Sequence, residues 1–206
     1  MFPKKVLDKY EVYNINHALE ILSQAYKEEF QEIIQALSEF SLSKSDIIAG
    51  GGNESAVPKK MSTLLHPQGW VESKITGDLM IHLHQRNKTE ITRTTIENFI
   101  GTHNIDYVKG RIAIDMEWNS KDQTFDRDLY AFRTFHECGI IACGVIITRS
   151  ETLNPVFSEL GIKGKYGAST TWIGKLLPRI RSGRHGACPL LVLGITPAVI
   201  TDLTKE

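Results

Sequence analysis

Two uninterrupted apolar runs in the second half of the chain, IIACGVIIT (140–148) and PLLVLGIT (189–196), constrain the fold most. Runs this short and this apolar, with β-branched residues throughout, predict strands buried on both faces. Ahead of the first run, Phe125, Leu129, Phe132 and Phe135 recur at helical spacing. Thr124 stands at the start of that helix as a cap, Asp126 and Asp128 fall in its first turn where the dipole favours acids, and Gly139 ends it. A further strand is predicted over 111–118, before the helix. Strand, helix and apolar strand in succession imply a parallel pair inside an α/β sheet.

The first half is less regular. Ala18, Leu19, Ile21, Leu22, Phe30, Ile33, Ile34 and Leu37 predict a helix over 16–40, with Asn14 or Asn16 as its cap. The segment 41–60, with Gly50, Gly51, Gly52 and Pro58, reads as a mobile loop, and a short helix over 59–65 follows. Residues 79–83 read as a strand that puts His82 and His84 on one face. Two histidines alone do not make a zinc site, which needs three or four ligands, so ordinary surface histidines are the better reading. With 206 residues and no internal repeat, one domain is expected over 1–206.

No apolar run approaches the roughly eighteen residues of a membrane helix, and the N-terminal residues lack the apolar core of a secretion signal. Cys138, Cys143 and Cys188 form no paired motif, which suits a reducing compartment and a cytoplasmic protein. Net charge is zero, which by itself argues against a nucleic-acid partner. Its distribution argues the other way: residues 160–201 contain no acid but carry Lys163, Lys165, Lys175, Arg179, Arg181 and Arg184. Such a stretch presents one basic face to a polyanion, or is simply a solvated charged surface.

The chemistry is concentrated in IDYVKGRIAIDMEW (105–118). Alternation along a strand sends Ile112, Ile114, Met116 and Trp118 to one face, and Arg111, Ala113, Asp115 and Glu117 to the other. If Lys109-Gly110 forms a two-residue loop, Val108 faces Arg111, Tyr107 faces Ile112 and Asp106 faces Ala113. Asp106 then shares the acidic face, diagonal to Asp115 at roughly 7–8 Å between backbones. Three carboxylates so placed repel one another unless a cation lies between them, and oxygen ligands suit Mg²⁺ or Mn²⁺. The alternative is an edge hairpin whose exposed acids discourage strand aggregation.

Asp106, then Asp115 and Glu117, resembles the PD-(D/E)xK nuclease signature, with Ile105 where proline is frequent and Glu117 where lysine is usual. The BglII/BstYI/BamHI-like group of type II restriction endonucleases also lacks that lysine. Similarity to this group extends through EVYN, KEEFQEII, Gly69-Trp70 with Glu72-Ser73, the acidic hairpin, GAST, RIRSGR and PLLVLGITP. The resemblance implies a restriction-endonuclease-like α/β core, a mixed central sheet flanked by helices, and Mg²⁺-dependent hydrolysis of double-stranded DNA with inversion at phosphorus. Asp106, Asp115, Glu117 and the Met116 backbone carbonyl would hold the metal, with Mn²⁺ as a substitute. Glu117 would also orient water, and Glu29 or Glu32 would add a carboxylate unless they are plain surface acids.

For DNA, the resemblance points to Ser169, Thr170 and Thr171 in the major groove, with Lys121, Lys163, Lys165, Arg179, Arg181 and Arg184 at phosphates or bases. It also implies a short palindromic site, a GATC core, a homodimer and a cognate DNA methyltransferase. The helix over 125–138 is a candidate dimer element, although its aromatics serve equally well as core. Another metal nuclease on the same core, or a DNA-binding protein that does not cleave, are the other readings.

Overall fold

The computed structural model describes residues 1–49 and 55–203. Their elements are α1 (Lys4–Leu7), β1 (Tyr10–Ile15), α2 (Ala18–Ala25), α3 (Lys27–Glu39), α4 (Lys44–Ile48) and α5 (Ala56–Leu65). They continue with β2 (Val71–Ser73), β3 (Thr76–His84), β4 (Ile91–Gly101), β5 (Ile105–Lys109) and β6 (Ile112–Glu117). Last come α6 (Thr124–Glu137), β7 (Cys143–Arg149), α7 (Asn154–Glu159), α8 (Ile173–Arg181) and β8 (Leu190–Ile195).

Among the described residues, six strands form one sheet in the order β1-β8-β7-β6-β5-β2. The expected parallel pair is present: β6 runs parallel to β7, and β7 parallel to β8. The outer pairings are antiparallel, β1 on β8, β5 on β6 and β2 on β5, so the sheet is mixed. All side chains of β6, β7 and β8 are buried, because helices cover both faces. Ile112, Ile114, Met116 and Trp118 join one core with α2, α3 and α5. Ala113, Ile146 and Val192 join a second with Phe125, Leu129, Phe132 and Phe135 of α6. The aromatic stripe of α6 is therefore core.

The expected first helix is two. Tyr26, at φ −128° and ψ 57°, separates α2 from α3. Asn14 supplies the cap, accepting the Leu19 N–H at 3.0 Å, while Asn16 and His17 take left-handed conformations to turn the chain into the helix. The segment read as a loop contains α4, closed by a reciprocal Ser43–Asp46 capping box. Pro58 lies within the first turn of α5, where it forfeits no intrahelical bond. Gly50, Gly51 and Gly52 lie outside the described residues. Thr124 is the first residue of α6 rather than its cap; its hydroxyl donates to the Lys121 carbonyl at 2.8 Å.

The strand expected over 79–83 is longer and has a partner that was not foreseen. β3 and β4 form a separate antiparallel ribbon, with His82 opposite Arg93 and His84 opposite Ile91. Both strands are exposed on nearly every residue, so neither shows an apolar periodicity. The three cysteines are free thiols, and among the described residues no helix is long and apolar enough to cross a membrane.

Candidate active site

The acidic face of the β5–β6 hairpin survives, with a different register. Lys109 pairs with Ile112, Val108 with Ala113 and Tyr107 with Ile114. The two-residue loop is therefore Gly110-Arg111, not Lys109-Gly110, and Gly110 opens it with a φ of 54°, a left-handed value that favours glycine. Continuing the register by one residue puts Asp106 directly opposite Asp115 rather than on its diagonal. The face is unchanged because the shift moves each partner by two positions, and strand side chains repeat every two. Asp106 is held there by its Oδ2, which accepts the Met116 N–H at 3.1 Å.

A further acid comes from the helix that covers this face. Asp115, Glu117 and Asp128 each place an oxygen within 4.8 Å of the others. All three are buried, at 4%, 6% and 2% exposure, in a position where carboxylates are rare unless compensated. Glu117 Oε2 and Asp128 Oδ2 have no hydrogen-bond partner at all. The electrostatics follow. Burial, then the charges of Asp128, Asp106 and Glu117, raise the Asp115 carboxyl well above the ordinary range. Burial also raises Glu117, against the pull of a Ser120 hydrogen bond. Asp128 is pushed up to about 8 by burial and by the charge of Glu117.

Asp128 was expected in the first turn of the helix as an acid placed for the dipole; in α6 it is the fifth residue, past the first turn. Its helical phase sets its direction: it stands three residues after Phe125 and four before Phe132, both fully buried, and so on the inward face. Such a cluster of oxygens, two of them orphaned, fits a hard divalent cation such as Mg²⁺ or Mn²⁺, which would satisfy the lone pairs and offset the repulsion.

Glu29 and Glu32 do not join this cluster. Glu32 binds Lys109 Nζ at 2.5 Å and accepts the Trp70 indole N–H at 2.9 Å, on the opposite face of the sheet. Glu29 lies beside Gly110 at the hairpin turn.

The expected DNA ligands divide by environment. Lys121, Lys163, Ser169, Arg181 and Arg184 are exposed, whereas Thr171 is fully buried and cannot present its side chain to a groove. Arg179 is mostly enclosed and tied to Asp126 at 3.1 Å and Asp122 at 3.5 Å; Arg184 also pairs with Asp126. Lys165 donates to the carbonyls of Ile47 and Ala49. Two loops meet above the site. Lys121 bridges to Thr170, Asp122 N–H donates to Ser169 O at 2.9 Å, and Thr171 N–H donates to Ser120 O at 2.9 Å. Buried Arg149 braces the second loop, donating to Thr171 O at 2.9 Å and to the Thr170 hydroxyl.

A comparison with curated proteins finds no match. A family model described as restriction endonuclease BglII/BglIII matches residues 10–195, which span β1 to β8 and include all four acids. With its mixed α/β sheet and its buried acids at the β5–β6 hairpin, the chain belongs to the BglII/BglIII family of restriction endonucleases.

Proposed function

We propose that this chain is a type II restriction endonuclease that uses Mg²⁺ to hydrolyse DNA at a short palindromic site, with a GATC core favoured. Membership of a restriction-endonuclease family implies DNA hydrolysis. The observation that carries the reading to this chain's own residues is the buried acid cluster with its two orphaned oxygens.

Asp106, Asp115, Glu117, Asp128 and the Met116 backbone carbonyl are the groups that would hold the metal. A divalent cation at such a site supplies Lewis-acid polarisation of the scissile phosphate and offsets charge on the leaving oxygen. Glu117, with Oε2 unengaged, accepts a hydrogen bond from the attacking water and orients it toward phosphorus. Asp106 fixes the hairpin through its bond to Met116 N–H, which keeps the acids in register. As the P–O3′ bond breaks, the new P–O bond from water forms on the opposite side of phosphorus, and the proton that water gives up is balanced by the one O3′ takes up as it leaves as a hydroxyl. Burial by α6 on one side and β7 on the other keeps bulk water from the carboxylates.

A palindrome read by one surface needs two copies of it, hence a twofold homodimer, each subunit cutting one strand. Exposed Lys121, Lys163, Ser169, Arg181 and Arg184 form its DNA-facing set. The whole of 1–206 acts as one domain in the cytoplasm, beside a methyltransferase that protects the same site.

Digestion of supercoiled plasmid with and without Mg²⁺ tests the reading, and sequencing the product ends reads the site. Discrete fragments support it. Nicked circles alone would replace it with a nicking or repair nuclease, and retarded but uncut DNA with a binding protein.

A further inference from the structure

The acid cluster has its own counter-cation. Among the described residues, Arg127 alone pairs with any of the four acids: Nη2 lies 3.9 Å from Glu117 Oε1, and Nε lies 3.5 Å from Asp128 Oδ1. Both distances exceed the 2.7–2.9 Å typical of a charge-assisted hydrogen bond, so the guanidinium is shared rather than locked. Its side chain is 45% exposed while that of Asp128, the next residue along α6, is 1% exposed. Arg127 is thus rooted beside the buried acids and reaches from them into solvent.

Strand β6 supplies no such cation. Its acidic face ends in Glu117, an acid, and Arg111, in the turn just before the strand, is directed away to donate to Gly139 O at 3.1 Å. Once ionised, four carboxylates would repel a phosphodiester. One divalent cation offsets two of those charges, and a guanidinium offsets a third. Planar and carrying several donors, a guanidinium also matches the non-bridging oxygens of a phosphate.

We propose that Arg127 is a catalytic residue: when a divalent cation takes the carboxylates, its guanidinium leaves them and donates hydrogen bonds to a non-bridging oxygen of the scissile phosphate. This inference rests on the nuclease reading above, and it adds a role that Asp106, Asp115 and Glu117 cannot fill. Arg127 takes no part in bond making; it steadies the negative charge that grows on those oxygens as water attacks.

The experiment compares full-length wild type with Arg127→Ala and Arg127→Lys in three measurements. These are single-turnover cleavage of supercoiled plasmid at saturating Mg²⁺, Ca²⁺ affinity by titration calorimetry, and retention of the same plasmid in Ca²⁺. The expected result is cleavage by Arg127→Ala slowed on the order of 100-fold, the scale for losing one donor to a developing oxyanion. Ca²⁺ affinity should be unchanged or tighter, because a competitor for Glu117 and Asp128 is gone, and Arg127→Lys should be intermediate in rate. Arg127→Ala cutting within threefold of wild type overturns the proposal. So does a loss of Ca²⁺ affinity that parallels the loss of rate, which would make Arg127 a support for the acids. If wild type itself binds plasmid but never cuts, the nuclease reading fails first, and the catalytic role of Arg127 with it.

Discussion

Replacing Asp128 with asparagine keeps the side chain's shape and removes one buried negative charge. In the unfolded chain this carboxyl ionises near its ordinary 3.8; in the folded protein it keeps its proton up to about 8. Between those values the folded state binds more protons than the unfolded state, so stability falls as pH rises from about 4 to about 8. Each unit is worth about 1.4 kcal/mol, which sets an upper bound of roughly 6 kcal/mol at pH 8. Asp115, Glu117 and Asp128 share their protons, so only part of this belongs to Asp128, and about 2–3 kcal/mol is the working figure. A domain of this size shifts its melting temperature by roughly 2–4 °C per kcal/mol. Asp128→Asn in EDTA should therefore melt about 5–10 °C above wild type at pH 8 and level with it near pH 4. Its amide can also donate to the neighbouring carboxylates, which the native side chain cannot do once it is ionised. Saturating Mg²⁺ should narrow or reverse the difference at pH 8, since metal binding stabilises only the intact pocket. Calorimetry at the two pH values reads all of this. An equal gain at both, or none at pH 8, would refute the claim that burial and the charge of Glu117 strain Asp128.

The remaining predictions concern the same site and the sheet beneath it. Asp115→Asn should abolish plasmid cleavage while retaining or tightening DNA binding in Ca²⁺, as gel retardation would show; near wild-type cutting would mean the metal is held elsewhere. Glu117→Gln should keep measurable cleavage over a Mg²⁺ titration, whereas Glu117→Lys, pairing with Asp115, should lose nearly all of it; the reverse order would remove Glu117 from the metal and water. Gly144→Ala would place its Cβ 2.4 Å from Phe132 and 2.9 Å from Leu190, so a loss of about 1–3 kcal/mol is expected in urea unfolding, partly recovered by adding Phe132→Leu. Exposed Arg181, changed to Ala, should flatten the salt dependence of DNA binding by about one unit of slope; enclosed Arg179, changed to Ala, should instead lower stability.

The parallel core was legible because β7 and β8 are buried on both faces, and such strands cannot hide their apolar runs. The acidic face was legible for a related reason. Side-chain alternation fixes which residues share a face even when the turn is misplaced, so Asp106 and Asp115 stayed together although Gly110-Arg111 replaced Lys109-Gly110 in the loop. Asp128 was missed because it was counted with Asp126 as serving the helix dipole, although it lies beyond the first turn of α6, and the dipole says nothing about which sheet face the helix covers. Strand β4 was missed for want of any burial: ITRTTIENFIG lies against β3 with solvent on both sides, and no core imprints a period on it. Glu32 looked like a free helix acid, yet its partners Lys109 and Trp70 are 77 and 38 residues away along the chain. No local pattern carries such a contact.

The pairing of the 119–122 and 167–171 loops has a mechanical consequence. Glu117 ends β6, and its carbonyl accepts the Thr148 hydroxyl at 2.6 Å, so the acid is anchored on its sheet side. Three residues on, Ser120 and then Lys121 and Asp122 are stitched to Ser169, Thr170 and Thr171. Any force that shifts Ser169 pulls on the peptide leading straight back to Glu117, while Arg149 stiffens the pulled loop from beneath. On the proposed function, the arrangement would work as a short lever between reading and cutting: a duplex that seats the loop badly would also set the Glu117 carboxylate badly. Such coupling needs no moving domain, only a stiff link of three residues, and it means that the 167–171 loop could not be exchanged for another without resetting the acid at its root.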